Sequence, residues 1–255
     1  MKPRLKGLNM NQHYSDFLKL IREAAHQHSL HEVFHDFCHM AAISISNAVD
    51  WPQADRREAA YMRLAERHTR HLHHFPNMLA HLTLALEEKT DDYLGRAFHA
   101  LELANRWKGQ FFTPFPVCQM LAKMQVSDAT AAIIERQGFI RANEPACGSG
   151  AMVMALCEAM RESDINYQHA LHVVAQDIDA RAVHMAYLQL SLLHCPAVVI
   201  VGDTLALEER EHWRTPAHVV GLWDTKLAQT AAVPQPAAVP EPEHPAIREQ
   251  LTLFA

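Results

Sequence analysis

Apolar positions over the first hundred residues recur at helical spacing. Phe17, Leu18, Ile21, Ala24 and Ala25 share one face, and Ser15 is the expected cap. Residues 30–49 predict a second helix closed by Asp50-Trp51-Pro52, and a third is expected from about Asp55 to His74, ending before Pro76. A fourth opens near Asp91-Asp92, whose carboxylates suit a helix N-terminus, with a face of Leu94, Ala97, Phe98, Leu101 and Ala104.

The pattern changes after Gln110. Helices are expected over 114–125 and 127–137, then a short apolar run into Glu144. A Gly-containing turn and a helix from about Gly150 to Arg161 follow. A strand over Leu171–Gln176, a helix over Asp179–Leu193 and a strand over Ala197–Val201 complete the alternation. Strand–helix–strand–helix–strand implies a parallel sheet with right-handed crossovers. The expected fold is α/β, with a Rossmann-like core behind an all-α N-terminal region. Residues 229–246 contain five Pro and five Ala without apolar periodicity, so they predict a semi-rigid linker. The chain thus divides into a helical region (1–105), an α/β domain (106–228), the linker and a terminal apolar peptide (247–255).

With 255 residues and 49% hydrophobic content, the chain has enough apolar material for a sizeable core. Its net charge of −6 differs from the basic excess of a stand-alone DNA binder, so contact with DNA is expected to be local, weak or helped by a partner. An odd number of Cys, five, without a CxxC pair and without an apolar leader predicts a reduced, cytoplasmic setting. No apolar run reaches membrane-spanning length. Of 19 His, 12 precede residue 100; His31, His35, Cys38 and His39 share a helical face, but no carboxylate or CxxC completes a ligand set there, so no metal is predicted.

Candidate chemistry begins at Asn143-Glu144-Pro145-Ala146-Cys147-Gly148-Ser149-Gly150, where a strand passes into a helix. Open α/β sheets bind ligands at this end of their strands, glycine permits close backbone approach, and helix N–H groups can hold a carboxylate. Asp177 ends the next strand and Asp203 follows the third, which places acids on the same rim. Taken alone, the turn fits an ordinary connection and each Asp fits a helix cap.

Gly109-Gln110-Phe111-Phe112-Thr113-Pro114 resembles the motif that precedes the S-adenosylmethionine (SAM) site in gamma-order DNA adenine-N6 methyltransferases, including modification subunits of type I restriction systems. Asp92-Tyr93-Leu94-Gly95, the glycine turn with Glu144 for the usual leading Asp, Gln176-Asp177-Ile178-Asp179 and Gly202-Asp203-Thr204-Leu205 resemble that family's motifs in its order. The resemblance implies SAM as cofactor. Phe112, Thr113 and Pro114 would line its methionine end, with Glu144, Ala146, Gly148 and Gly150 around the turn. Asp177 would hold the ribose beside Ile178, and Asp203 the adenine amino group.

The family's Asn-Pro-Pro-aromatic motif, expected at a fourth strand tip, has no counterpart here. Trp223 and Asp224, in Pro216-Ala217-His218-Val219-Val220-Gly221-Leu222-Trp223-Asp224, are the degenerate catalytic candidates, with Trp223 as a core or interface aromatic the other reading. A sheet with so few strands leaves an edge that predicts a homodimer or a partner subunit. Two functions compete: adenine-N6 transfer, alone or with a partner, and a non-catalytic regulatory, anti-restriction or scaffolding module. Finally, Gln250-Leu251-Thr252-Leu253-Phe254 resembles the peptide by which bacterial replication and repair proteins dock on the DNA sliding clamp. That resemblance implies Gln250, Leu251, Leu253 and Phe254 as partner-binding residues.

Overall fold

A computed structural model gives the fold of residues 11–26, 28–101 and 112–231. Five helices come first: α1 (Gln12–Ala24), α2 (Leu30–Asn47), α3 (Trp51–Arg67), α4 (His74–Glu88) and α5 (Tyr93–Ala100). Asn11, rather than Ser15, caps α1, because the buried face already starts at Tyr14, whose amide donates to the Asn11 side chain. Ser29 and Glu32 cap α2 reciprocally. The third helix stops at Arg67, and α4 follows where no separate helix was expected. Pro76 lies in the first turn of α4, where its missing N–H is no loss, so it opens a helix instead of ending one.

Helices α6 (Phe115–Gln125) and α7 (Asp128–Gln137) lead into β1 (Ile140–Glu144). Then come α8 (Ala151–Glu162), the single turn α9 (Tyr167–Ala170), β2 (Leu171–Asp177), α10 (Ala180–Leu192) and β3 (Ala197–Asp203). The chain closes with β4 (Glu208–Arg214), α11 (Pro216–Val220) and α12 (Trp223–Ala231). Sheet order is β1-β2-β3-β4. The first three strands are parallel, with Glu144 opposite Ala175 and Asp177 opposite Val201, so their carboxyl ends share one rim. The fold is therefore the expected α/β type, with one addition. Strand β4 runs antiparallel to β3 as an edge hairpin, with a bulge at Val201/Gly202. Only Trp213 of its seven residues is buried, which is why the stretch carries no strand-like apolar alternation. Its charged positions protect the exposed edge.

One apolar cluster runs from Tyr14 in α1 to Trp213 in β4, so the helical region and the α/β region share a core. Helix α2 packs along α10, with His39 stacked on His184 at 4.0 Å between centroids. Arg57 joins α3 to β4. Its guanidinium meets Asp50 at 2.8 Å and the His212 carbonyl at 2.8 Å, and lies over the Trp213 ring. The predicted linker and terminal peptide, from 232 onward, and the Gly109-Gln110-Phe111 part of the upstream motif lie outside the described residues. Among the described residues, no helix is long and apolar enough to cross a membrane.

Candidate functional site

The rim formed by β1 and β2 opens into a cleft of about 370 Å³, within the range of small-molecule sites. Phe112, Thr113, Glu144, Ala146, Gly148, Asp177 and Ile178, all expected at the cofactor site, line it. So do Cys118, Cys147, Ser149, Ala151, Met152 and Ala182, which the sequence motifs did not assign. Ser149 was legible, since it sits inside the glycine motif. Ala182 and Met152 reach the cleft only because α10 and α8 start at the rim.

The turn owes its shape to two left-handed glycines, Gly148 at φ +53° and Gly150 at φ +91°. A Cβ on Gly148 would lie 2.8 Å from the Phe112 ring, so the turn and the upstream aromatic are in close contact. Gly150 packs against Ala186 of α10, and this contact lets α8 start against the sheet. It caps α8 and is placed behind the cleft wall rather than on it. Backbone bonds fix the rest: the Cys147 amide donates to the Gln176 carbonyl at 2.8 Å, and the Gly150 amide to the Cys147 carbonyl at 2.8 Å. From the third strand, the Thr204 hydroxyl donates to the Pro145 carbonyl at 2.7 Å.

Asp177 is half-buried at the tip of β2. Its Oδ2 accepts from the Gly148 amide and its Oδ1 from the Asp179 amide, each at 2.9 Å. Each carboxylate oxygen retains acceptor capacity, since an ionised carboxylate takes about four hydrogen bonds. Ile178 beside it is exposed and presents an apolar surface at the mouth. Asp203, expected to face the adenine, instead shapes the β3–β4 turn, where its Oδ1 accepts from the Leu205 and Ala206 amides. Pro114, Gly150 and Asp203 are thus adjacent to the cleft without being among its lining residues. Burial pushes the Cys147 thiol up, with Asp177 adding to the effect, and burial also raises Cys118. A raised pKa disfavours the reactive thiolate form at both positions.

Trp223 and Asp224 are not at this rim. Trp223 is 1% exposed and packs edge-on against Phe139, just before β1, and against His172 at the start of β2. From His172 to Asp177 the strand runs about 16 Å, so the indole sits at the opposite end of the sheet. Asp224 is exposed and accepts from His218 Nε2 at 3.1 Å; His172 Nε2 donates in turn to His218 Nδ1 at 2.9 Å. The cause is topological. Antiparallel β4 carries the chain back to the amino ends of β1–β3, and residues 216–224 form helices there instead of a fourth strand tip. The degenerate catalytic assignment is therefore withdrawn, and the core-aromatic reading of Trp223 stands.

The cleft can hold a nucleotide-like ligand. Its acid at the second strand tip suits ribose hydroxyls, and the glycine turn and the amino end of α8 suit a carboxylate. The donor set and the close Gly148–Phe112 approach fit SAM. A family model for N-6 DNA methylases matches residues 91–222, just over half of the chain. No curated protein matches the chain. Among solved structures, a Listeria monocytogenes protein provisionally assigned as a class I S-adenosylmethionine-dependent methyltransferase superposes with a TM-score of 0.44 at 14% identity. The alignment covers 78% of this chain and 55% of that one, so this chain spans little more than half of that length.

Proposed function

This chain belongs to the N-6 DNA methylase family, and on that premise we propose that it binds SAM in the β1–β2 cleft but does not, on its own, transfer methyl groups to DNA. The observation that carries the reading is a division of the sheet. At the carboxyl ends of β1 and β2 stand the groups assigned to the cofactor in this reading, namely the glycine turn, Glu144 and Asp177. Trp223 and Asp224, the degenerate catalytic candidates, lie at the other end.

In this assignment Asp177 accepts from the ribose hydroxyls and Ile178 lies against the adenine. Phe112 and Thr113 enclose the methionine portion, and the turn and the first amides of α8 take its carboxylate. When bound, SAM supplies an electrophilic methyl group. Transfer needs an acceptor-lined pocket that raises electron density on the adenine amine. A partner subunit or a second copy, added at the edge of β1 that is unpaired among the described residues, would bring that pocket beside Glu144. Without one, the module acts as a SAM-responsive scaffold.

The acidic chain reaches DNA indirectly in this proposal. Gln250, Leu251, Leu253 and Phe254 dock on the bacterial sliding clamp, and the Pro/Ala linker, able to extend on the order of 50 Å, lets the folded part search nearby DNA. Calorimetric titration of SAM into the purified chain tests the core of the reading. Saturable one-to-one binding is expected, and no binding would overturn it.

A further inference from the structure

Behind the glycine turn lies a polar cluster that is almost wholly excluded from solvent. Asp92 caps α5 and is 3% exposed; Ser149 is 1% exposed; Gln189 of α10 is fully buried. Asp92 Oδ2 accepts from the Ser149 hydroxyl at 2.6 Å. Its Oδ1 accepts from Gln189 Nε2 and from the Gly95 amide, each at 2.9 Å. Gln189 Nε2 also donates to the Ser149 carbonyl at 2.9 Å, and its Oε1 accepts from the Leu94 amide at 3.1 Å. Every donor points at an acceptor, and Asp92 receives three bonds while giving none. That is the pattern of a carboxylate whose charge is compensated by hydrogen bonds.

A buried charge held only by neutral donors is costly, because desolvation opposes it. Burial accordingly raises the Asp92 pKa, and the bonds from Ser149, Gln189 and Gly95 oppose that rise. A simple helix cap does not require such a place: Asn11 and Asp179 cap their helices at less buried positions. The cluster also leaves no room for a larger residue at 95, since a Cβ there would lie 2.0 Å from Asp92 Oδ2 and 2.7 Å from the Ser149 hydroxyl. What the arrangement accomplishes is a link. Ser149 sits between the two left-handed glycines and lines the cleft, so any bond that fixes Ser149 fixes the turn.

We propose that Asp92 is a positioning residue of the cofactor cleft: through Ser149 it holds the Gly148–Gly150 turn in the shape that receives the cofactor's amino-acid end. Gln189 is the second arm of this latch, and helix α5, from the helical region, thereby becomes part of the site. The inference rests on the SAM reading above.

Asp92→Asn keeps the shape of the side chain, and with its amide nitrogen in the Oδ2 place, where Oδ1 still serves Gln189 and Gly95, the Ser149 hydroxyl loses its acceptor. Two measurements follow. The first is amide hydrogen exchange of Gly148 and Gly150 in the unliganded protein, with Val173 in β2 as internal reference. The second is SAM affinity by calorimetry for wild type, Asp92→Asn, Ser149→Ala and the double variant. Loss of one such bond predicts about tenfold faster exchange at the two turn amides with Val173 unchanged, and about tenfold weaker SAM binding. In the Ser149→Ala background, Asp92→Asn should add less than about threefold, because the link is already cut. Unchanged exchange and affinity in folded Asp92→Asn, or losses that multiply independently, would overturn the latch. Should Asp92→Asn fail to fold, Ser149→Ala decides, since it must itself speed exchange at Gly148 and Gly150. If wild type binds no SAM, the cofactor reading falls, and the exchange measurement alone judges the latch.

Discussion

The Gly148 amide donates to Asp177 Oδ2 at 2.9 Å, which ties the turn after β1 to the tip of β2. Asp177 therefore shapes the turn, and in the proposed SAM complex it also presents acceptors to the ribose. Asp177→Ala removes both and should weaken SAM binding by about 1.5–3 kcal/mol, roughly ten- to a hundredfold in the dissociation constant. Calorimetry on the variant checks this, and an unchanged constant would remove Asp177 from the site.

Arg57 and Asp50 form a buried ion pair at 2.8 Å, with side chains 3% and 4% exposed. Arg57 also bonds the hydroxyl of Ser46 and lies 4.0 Å over Trp213, so it couples α2, α3 and β4. Arg57→Ala strands the Asp50 charge in the interior and should destabilise the fold by about 3–5 kcal/mol. For a chain of this size that is a fall in melting temperature on the order of 10 °C. The double variant Arg57→Met with Asp50→Leu removes both charges and should recover most of the loss in a thermal melt.

Acid sensitivity should arise where α2 meets α10. Burial lowers the pKa of His35 to about 3, and burial also lowers those of His39 and His184. Around them stand His31, Asp179 and Arg181, with Asp36, Arg57, Arg63 and Glu211 nearby. The folded pKa values lie below the unfolded value near 6.5, so the fold excludes protons that the unfolded chain takes up. Stability is fully present above about pH 6.5 and is lost progressively as the pH falls toward 3. Neither ring nitrogen of His35 has a hydrogen-bond partner among the described residues. His35→Leu should therefore flatten the fall in melting temperature between pH 7.5 and pH 5. An identical slope in the variant would exclude His35 as a contributor.

Clamp docking makes a separate prediction. Leu251, Leu253 and Phe254 each contribute about 1.5–3 kcal/mol when buried, and ordering a free tail offsets several kcal/mol. The expected dissociation constant is about micromolar. In a fluorescence titration with the bacterial sliding clamp, Leu253→Ala with Phe254→Ala should abolish binding. Equal binding by variant and wild type, or none by either, would contradict it.

The parallel strands were legible because β2 and β3 are buried on both faces and read as continuous apolar runs, such as Ala197–Val201. The cleft was legible because its turn lies within eight consecutive residues. Strand β4 was not, since Glu208–Arg214 buries only Trp213. Nor was α4, where the His run and Pro76 obscured the face of Phe75, Met78 and Leu82. Gln189 carries no local signal at all; its role follows from α10 crossing behind the turn. The Trp223 assignment failed because it assumed a parallel fourth strand, and a single antiparallel hairpin reverses the end of the sheet to which the chain returns.

The most direct test of SAM binding without methyl transfer combines two readings on one preparation. SAM carrying a tritiated methyl group is titrated into the chain alone, and the same mixture is then supplied with unmethylated DNA. The predicted result is saturable binding that Asp177→Ala weakens, with no label transferred to adenine. Robust transfer by the chain alone would contradict it, as would the absence of any SAM binding.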